Sequence, residues 1–112
     1  MINHELSIEI VQKKDKKTIK ISNGRLEVDK GDTIKWKRKN LQDNFQFTII
    51  FPDHSPFKKN EFKMETRGNT GAIKVIYDPD VCGWKKFKYS ITASDGSEPL
   101  LLDPELIIPK NP

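Results

Sequence analysis

The chain of 112 residues has a modest apolar content and a small positive charge: 35% of its residues are hydrophobic, 32% are charged and the net charge is +4. This length suits a single domain over residues 1–112 with one economical core. No apolar run approaches the roughly 18 residues that a membrane helix needs, and the start of the chain lacks the layout of a secretory signal. We therefore expect a soluble protein without membrane contact, in the cytoplasm, or in the periplasm if a signal peptide was removed.

The residues that could carry metal or nucleophilic chemistry are few and scattered. A single cysteine, Cys82, excludes an internal disulfide and suits a reducing compartment. Cys82, His4 and His54 lack the close spacing of a metal site, so we expect no metal and no cofactor. A nucleophile formed by Cys82 and His54 would lack a third residue to orient the histidine, and we expect no enzyme activity.

The first half of the chain predicts short strands separated by polar turns. Leu6 to Ile10 alternates apolar and polar residues as a strand does, and the lysine-rich run 13–17 after it predicts an exposed loop. Asn23-Gly24 lies between two further extended segments and predicts either a hairpin or a bend. In the strand that follows the polar turn 29–32, Trp36 lies on the face opposite Lys35 and Lys37, so we expect Trp36 in the core.

The second half continues in the same way. The segment 45–51 is rich in aromatic and β-branched residues and is the clearest strand of the chain. Gly68 to Gly71 predicts a tight turn rather than a phosphate-binding loop, because it lacks the Gly-Lys-Ser/Thr ending. Further strands are expected at 62–64, 72–77, 86–91 and 104–108. About seven or eight short strands without a convincing helix predict an all-β Greek-key sandwich.

The residues from Leu26 to Asn40 resemble the cupredoxins, in which a strand, a Gly-Asp turn and a hydrophobic-Trp-polar-Asn strand follow one another. The segment 45–51 falls where that family carries its first histidine, and 83–91 resembles the strand that delivers its copper cysteine. Residues 106–108 would form the closing strand. The resemblance implies a seven- to eight-stranded Greek-key β-sandwich of the cupredoxin-like or immunoglobulin-like kind.

The copper ligands of the cupredoxins have no counterparts in this sequence. A blue-copper site needs two histidines and a cysteine, with a weak axial sulfur. Phe45, Gln46 and Phe47 stand where the first histidine would be, Ile91 occupies the place of the cysteine, and no histidine follows it. The resemblance therefore implies a cupredoxin-like domain without its metal.

A rigid sandwich without a metal is expected to act through its loops. The loops at the end where relatives hold copper would be 38–44, 54–59, 80–85 and 93–99, and their partner an unidentified protein or a second copy of the chain. Trp84 is the expected anchor, because exposed tryptophans concentrate binding energy. The other expected contact residues are Lys85, Lys39, His54, Lys58 and Lys59.

An alternative function is binding of nucleic acid or another acidic surface by the basic first half. Residues 1–60 carry 13 Lys and Arg against 8 Asp and Glu, whereas residues 61–112 carry 7 against 8. Lys35 and Lys37 share one strand face, and Lys86 and Lys88 share another, which could contact phosphates. The resemblance places these two strands in different sheets, however, and that arrangement favours solubility over a single basic footprint.

Overall fold

The computed structural model describes residues 1–40, 44–64 and 68–109. This part of the chain forms short strands and one single-turn helix. In chain order the elements are β1 (Asn3–Lys13), β2 (Lys16–Ile21), β3 (Arg25–Glu27), β4 (Thr33–Arg38), β5 (Gln46–Ile50), β6 (Glu61–Lys63), β7 (Ile73–Lys74), α1 (Pro79–Cys82), β8 (Lys85–Lys88), β9 (Ser90–Ser94), β10 (Leu100–Leu102) and β11 (Glu105–Ile108).

The strands form three sheets whose orders are β2-β1-β4-β7, β10-β9-β5-β6 and β3-β11-β8. Alternation of apolar and polar residues gives each sheet one buried side, and these sides meet in a single core. Trp36 lies at its centre with none of its surface exposed, and its ring meets Phe51 and Tyr89 edge-on. The predicted all-β, sandwich-like domain and the core position of Trp36 are confirmed, while the Greek-key connections stay a prediction.

The strand predicted at 86–91 is in fact two strands in different sheets. β8 pairs with β11, whereas β9 pairs with β5 and β10. Tyr89 lies between them, where its backbone N–H donates to Pro104 O at 3.1 Å and its ring stacks on Phe51 at 4.9 Å. This change of sheet, the short strand β10 and the helix α1 are the features of the described chain that the sequence did not predict.

The structure defines two turns more closely than the sequence did. The lysine-rich run is exposed, as predicted, and forms a tight hairpin turn: β1 ends at Lys13, β2 begins at Lys16 and Lys14 takes a φ of 55° between them. Asn23-Gly24 is a bend and not a hairpin, since β2 and β3 belong to different sheets. The carbonyl of Gly24 accepts from Glu105 N at 2.9 Å and so joins the bend to β11.

A buried carboxylate that the sequence alone did not reveal lies beside the parallel pair of β1 and β4. Asp32 is 3% exposed, and its oxygens accept from the N–H of Ile2 at 3.0 Å and of Asp29 at 3.0 Å. His4 Nε2 lies 2.9 Å from the same carboxylate. Burial alone would raise the pKa of Asp32, but the hydrogen bonds from Asp29, His4 and Ile2 together lower it. Asp32 thus ties the first strand to the turn before β4.

Candidate interaction site

The predicted contact loops lie at two ends of the molecule, so the expectation that all four share one end is wrong. The loop 38–44 leads into β5, and the loop 54–59 lies in the connection after it. β9 runs antiparallel to β5, with Ser94 opposite Gln46, so the chain enters β9 near the end of β5 and leaves it near the start of β5. Lys85, at the start of β8, contacts His54 in the loop after β5. Five predicted residues therefore share an end: Trp84, Lys85, His54, Lys58 and Lys59. Lys39 lies at the other end, and residues 41–43 of its loop lie outside the described part of the chain.

Lys39 belongs to the first sheet and is held there. Its backbone N–H donates to Ile8 O at 2.8 Å, and its Nζ lies 3.3 Å from a Glu9 oxygen. It lines a small cleft of about 210 Å³ that also contains Glu9 and Lys20. Because this cleft carries charges of both signs, it offers little preference for a charged ligand.

At the end that carries Trp84, the segment 78–84 forms a fixed projection, which we call the tip. Asp78 Oδ1 accepts from Asp80 N at 3.0 Å, and Pro79 begins α1 with its preset φ. Gly83 ends the turn at a φ of 83°, with its N–H donating to Pro79 O at 2.8 Å. This single turn leaves Val81 80% exposed and Trp84 64% exposed.

The base of the tip is packed and hydrogen-bonded. Tyr77 donates its hydroxyl to Gly83 O at 2.9 Å, and its ring meets Phe87 edge-on at 5.1 Å. Burial raises the pKa of Tyr77, and the nearby Cys82 raises it to a smaller extent. Lys85 donates to His54 Nε2 and lies 5.1 Å above the Phe87 ring. Trp84 and Val81 therefore project from a base that tertiary contacts hold in place.

The loop 53–60 also borders a groove between β6 and β7, which are the outermost strands of two different sheets. Its volume is about 400 Å³. Phe62 contributes an apolar wall and stacks on Trp36 with ring centres 6.3 Å apart. The residues that line the groove are Lys58, Lys59, Phe62, Thr70, Ala72, Ile73, Lys74 and Ile76. The described lining therefore combines three lysines with apolar side chains and contains no carboxylate.

The loop that carries Lys58 and Lys59 is held by internal contacts. The Ser55 hydroxyl contacts the carbonyls of Phe57 and Lys59, and Ser55 N donates to Asn60 Oδ1 at 3.1 Å. The carbonyl of Pro56 accepts from Ile76 N at 2.8 Å and joins this loop to the chain after β7. The two lysines are thus presented from a defined loop.

Three lysines on outer sheet faces, Lys35, Lys37 and Lys86, are paired with carboxylates of the same chain. Lys37 and Lys35 lie 2.9 and 3.2 Å from the two oxygens of Glu5 and lower its pKa, chiefly by hydrogen bonding. Lys86 lies 3.6 Å from Glu105. β4 and β8 belong to different sheets, so Lys35 and Lys37 do not share a sheet face with Lys86.

The tight turn predicted at 68–71 is instead a bend at Gly68, after which Asn69 forms an isolated β-bridge with Lys37. Two amides of this segment already donate, Thr70 N to Trp36 O and Gly71 N to Asn69 Oδ1. Arg67 lies outside the described residues. Among the described residues, no group of three or more His, Cys, Asp or Glu is placed to hold a metal ion. Cys82 is exposed at the end of α1.

Comparison with known proteins gives no relative from which a function could be transferred. A scan against protein-family models finds no match, and a search of curated proteins finds no significant one. No helix in the described ranges is long and apolar enough to cross a membrane.

Proposed function

We propose that the protein is a non-enzymatic binding module, a cupredoxin-like domain without metal, and that it contacts a folded protein partner through the tip. The observation that carries this proposal is the exposure of both Val81 and Trp84 within the tip. Exposed apolar side chains of this size are costly in water, and tryptophan is enriched among residues that dominate binding energy.

The contacts at the base of the tip support an anchor role for Trp84. A side chain that already points outward from a fixed turn loses little conformational freedom when it binds. The Tyr77 hydroxyl bond to Gly83 and the ion pair of Lys30 with Asp78 at 3.2 Å fix this turn before a partner arrives. A partner with an apolar pocket for the indole fits this surface, and the free thiol of Cys82 suits a reducing cytoplasm as the compartment.

The test is capture with three forms of the full chain as bait. Wild type is compared with Trp84→Ala and with the control Leu101→Ala, whose native side chain is 61% exposed on β10. We expect a partner that wild type and the Leu101 variant retain and that Trp84→Ala loses by at least about tenfold, a typical effect for a binding hot spot. Retention of the same partner by Trp84→Ala would overturn the proposal.

A second candidate, binding of nucleic acid or acidic surfaces by the basic first half, has less support. Lys35 and Lys37 share the carboxylate of Glu5, and Lys39 lies against the carboxylate of Glu9, so the charge of these three lysines is partly neutralised. Binding to oligo(dT) that weakens steeply with added salt would favour this candidate, because affinity for phosphates depends on counterion release.

A further inference from the structure

The groove between β6 and β7 carries an inference that goes beyond the tip. We propose that it binds an extended peptide segment with alternating acidic and apolar side chains, which adds to the sheet as a strand beside β7. Such strand addition obtains affinity from main-chain hydrogen bonds and specificity from pockets for alternate side chains. The proposal depends on backbone direction, charge and the apolar wall of the groove.

The backbone groups of Lys74 point into the groove. Val75 N–H donates to Asp32 O at 2.8 Å, and its carbonyl accepts from Gly31 N at 2.9 Å, so Val75 directs both groups toward the β4 side. Alternate residues of a strand direct these groups to opposite sides. Those of Lys74 therefore face away from β4, where the described chain places no further strand.

Ile76 supports this direction and sets the length of the free edge. Its N–H donates at 2.8 Å to the carbonyl of Pro56, which lies outside the sheet, as expected for a residue two positions after Lys74. This bond closes the edge toward the tip. The free edge is therefore about three residues long, from Ala72 to Lys74, and predicts weak binding, with a Kd on the order of 100 μM.

The charge of the groove selects for acidic side chains. Lys58, Lys59 and Lys74 line it, and within the described ranges none of the three has a carboxylate within ion-pair distance. A strand beside β7 would direct one set of side chains toward Phe62 and Ile73 and the other set to the face of Lys74. Apolar residues suit the first set, and acidic residues suit the second.

The same residues argue against two other occupants. A single-stranded nucleic acid needs exposed aromatic faces, whereas the Phe62 ring is half-buried and stacked on Trp36. A second copy that paired its own β7 here would bring three more lysines against the first three, which like-charge repulsion disfavours.

The test measures binding of a fluorescein-labelled, blocked peptide, Glu-Val-Glu-Val-Glu-Val, by polarisation. We expect saturable binding with amide shifts in the NMR spectrum concentrated at residues 72–76. A Lys-Val peptide of equal length and oligo(dT) serve as the matched ligands. Equal affinity for either ligand, or no binding of the acidic peptide at 1 mM protein, would overturn the proposal.

Two substitutions at one position separate charge from backbone. Lys74→Ala removes one charge and should weaken binding about threefold, the size of an exposed ion pair. Lys74→Pro removes the same charge and also the outward N–H, which an edge strand tolerates, and should weaken binding about fivefold further. Lys88→Ala, on β8, is the matched control and should leave the affinity unchanged. Equal affinity of Lys74→Pro and Lys74→Ala would exclude strand addition.

Additional measurements keep the result decisive. Thermal unfolding verifies that Lys74→Pro is folded; if it is not, the loop variant Lys58→Glu/Lys59→Glu takes its place and must reduce affinity at least about tenfold for the proposal to stand. Trp84→Ala should bind the peptide like wild type, which separates this site from the tip. A dimer in sedimentation that Lys74→Ala dissociates would assign the groove to a second copy and overturn the peptide proposal.

Discussion

The outer face of the first sheet and the groove at its edge both carry lysines, but they differ in what surrounds them. On the face, Glu5 accepts from both Lys35 and Lys37, so one carboxylate offsets part of their charge. In the groove, Lys58, Lys59 and Lys74 line an apolar cleft, and the described residues supply them with no carboxylate partner. The lysines that line the groove are therefore available to a ligand, because no described carboxylate is among the lining residues or within ion-pair distance of them.

The largest expected effect concerns the carboxylate that holds the first sheet together. Asp32→Asn should lower the free energy of unfolding by about 2 kcal/mol, because the amide cannot replace both oxygens that accept from Ile2, Asp29 and His4. Urea unfolding measures the change. The control Asp53→Asn, at an exposed loop position, should stay within about 0.5 kcal/mol of wild type. Equal effects would mean that Asp32 does not stabilise the sheet.

The same carboxylate predicts a loss of stability in acid. The pKa of Asp32 in the folded state lies below its ordinary value of 3.8, so the unfolded chain takes up this proton first as the pH falls. Its contribution is complete above about pH 5 and disappears as the pH falls through the folded-state pKa. Glu5, Asp78 and Asp95 shift in the same direction. Urea unfolding between pH 7 and pH 3 should show a shallower decline for Asp32→Asn, and parallel curves would contradict this assignment.

A smaller effect, on binding of an anionic ligand, should appear when the carboxylate on the outer face of the first sheet is removed. Glu5→Gln leaves Lys35 and Lys37 without their carboxylate and should strengthen binding to oligo(dT) at low salt about two- to threefold. Glu27→Gln, an equal change of charge on β3, is the control and should have a weaker effect. Equal gains from both variants would show that net charge, and not local pairing, governs binding of anions.

The smallest expected effect is on the stability of the tip. Trp84→Ala should change the free energy of unfolding by no more than about 0.5 kcal/mol, because its side chain is mostly exposed. Trp36→Phe should cost about 2 kcal/mol, since it loses buried volume and the indole N–H that lies 3.3 Å from Tyr89 Oη. Thermal and urea unfolding of both variants measure the difference. A large loss in the free energy of unfolding of Trp84→Ala would indicate that Trp84 stabilises the fold, which would argue against a role in binding alone.

Strand faces could be predicted well from the sequence, but strand partners could not. Alternation placed Trp36 inside and Lys35 outside, and it located β5 to within a residue or two. The separation of β8 from β9 was missed because Phe87, Tyr89 and Ile91 are all buried and keep the same alternation across the change of sheet. The groove could have been suspected from Ile76, because this apolar residue lies on the outward side of the strand predicted at 72–77.

The sequence by itself determined the all-β class and the core position of Trp36, because these follow from local alternation. Tertiary structure alone decided which lysines have a carboxylate partner and which sheet edges stay unpaired in the described chain. Glu5 meets Lys37, 32 positions away, because β1 and β4 pair in parallel. It also separated Lys39 from the other predicted contact residues, since β5 lies between their loops. Such meetings depend on register between distant strands, which local alternation does not specify.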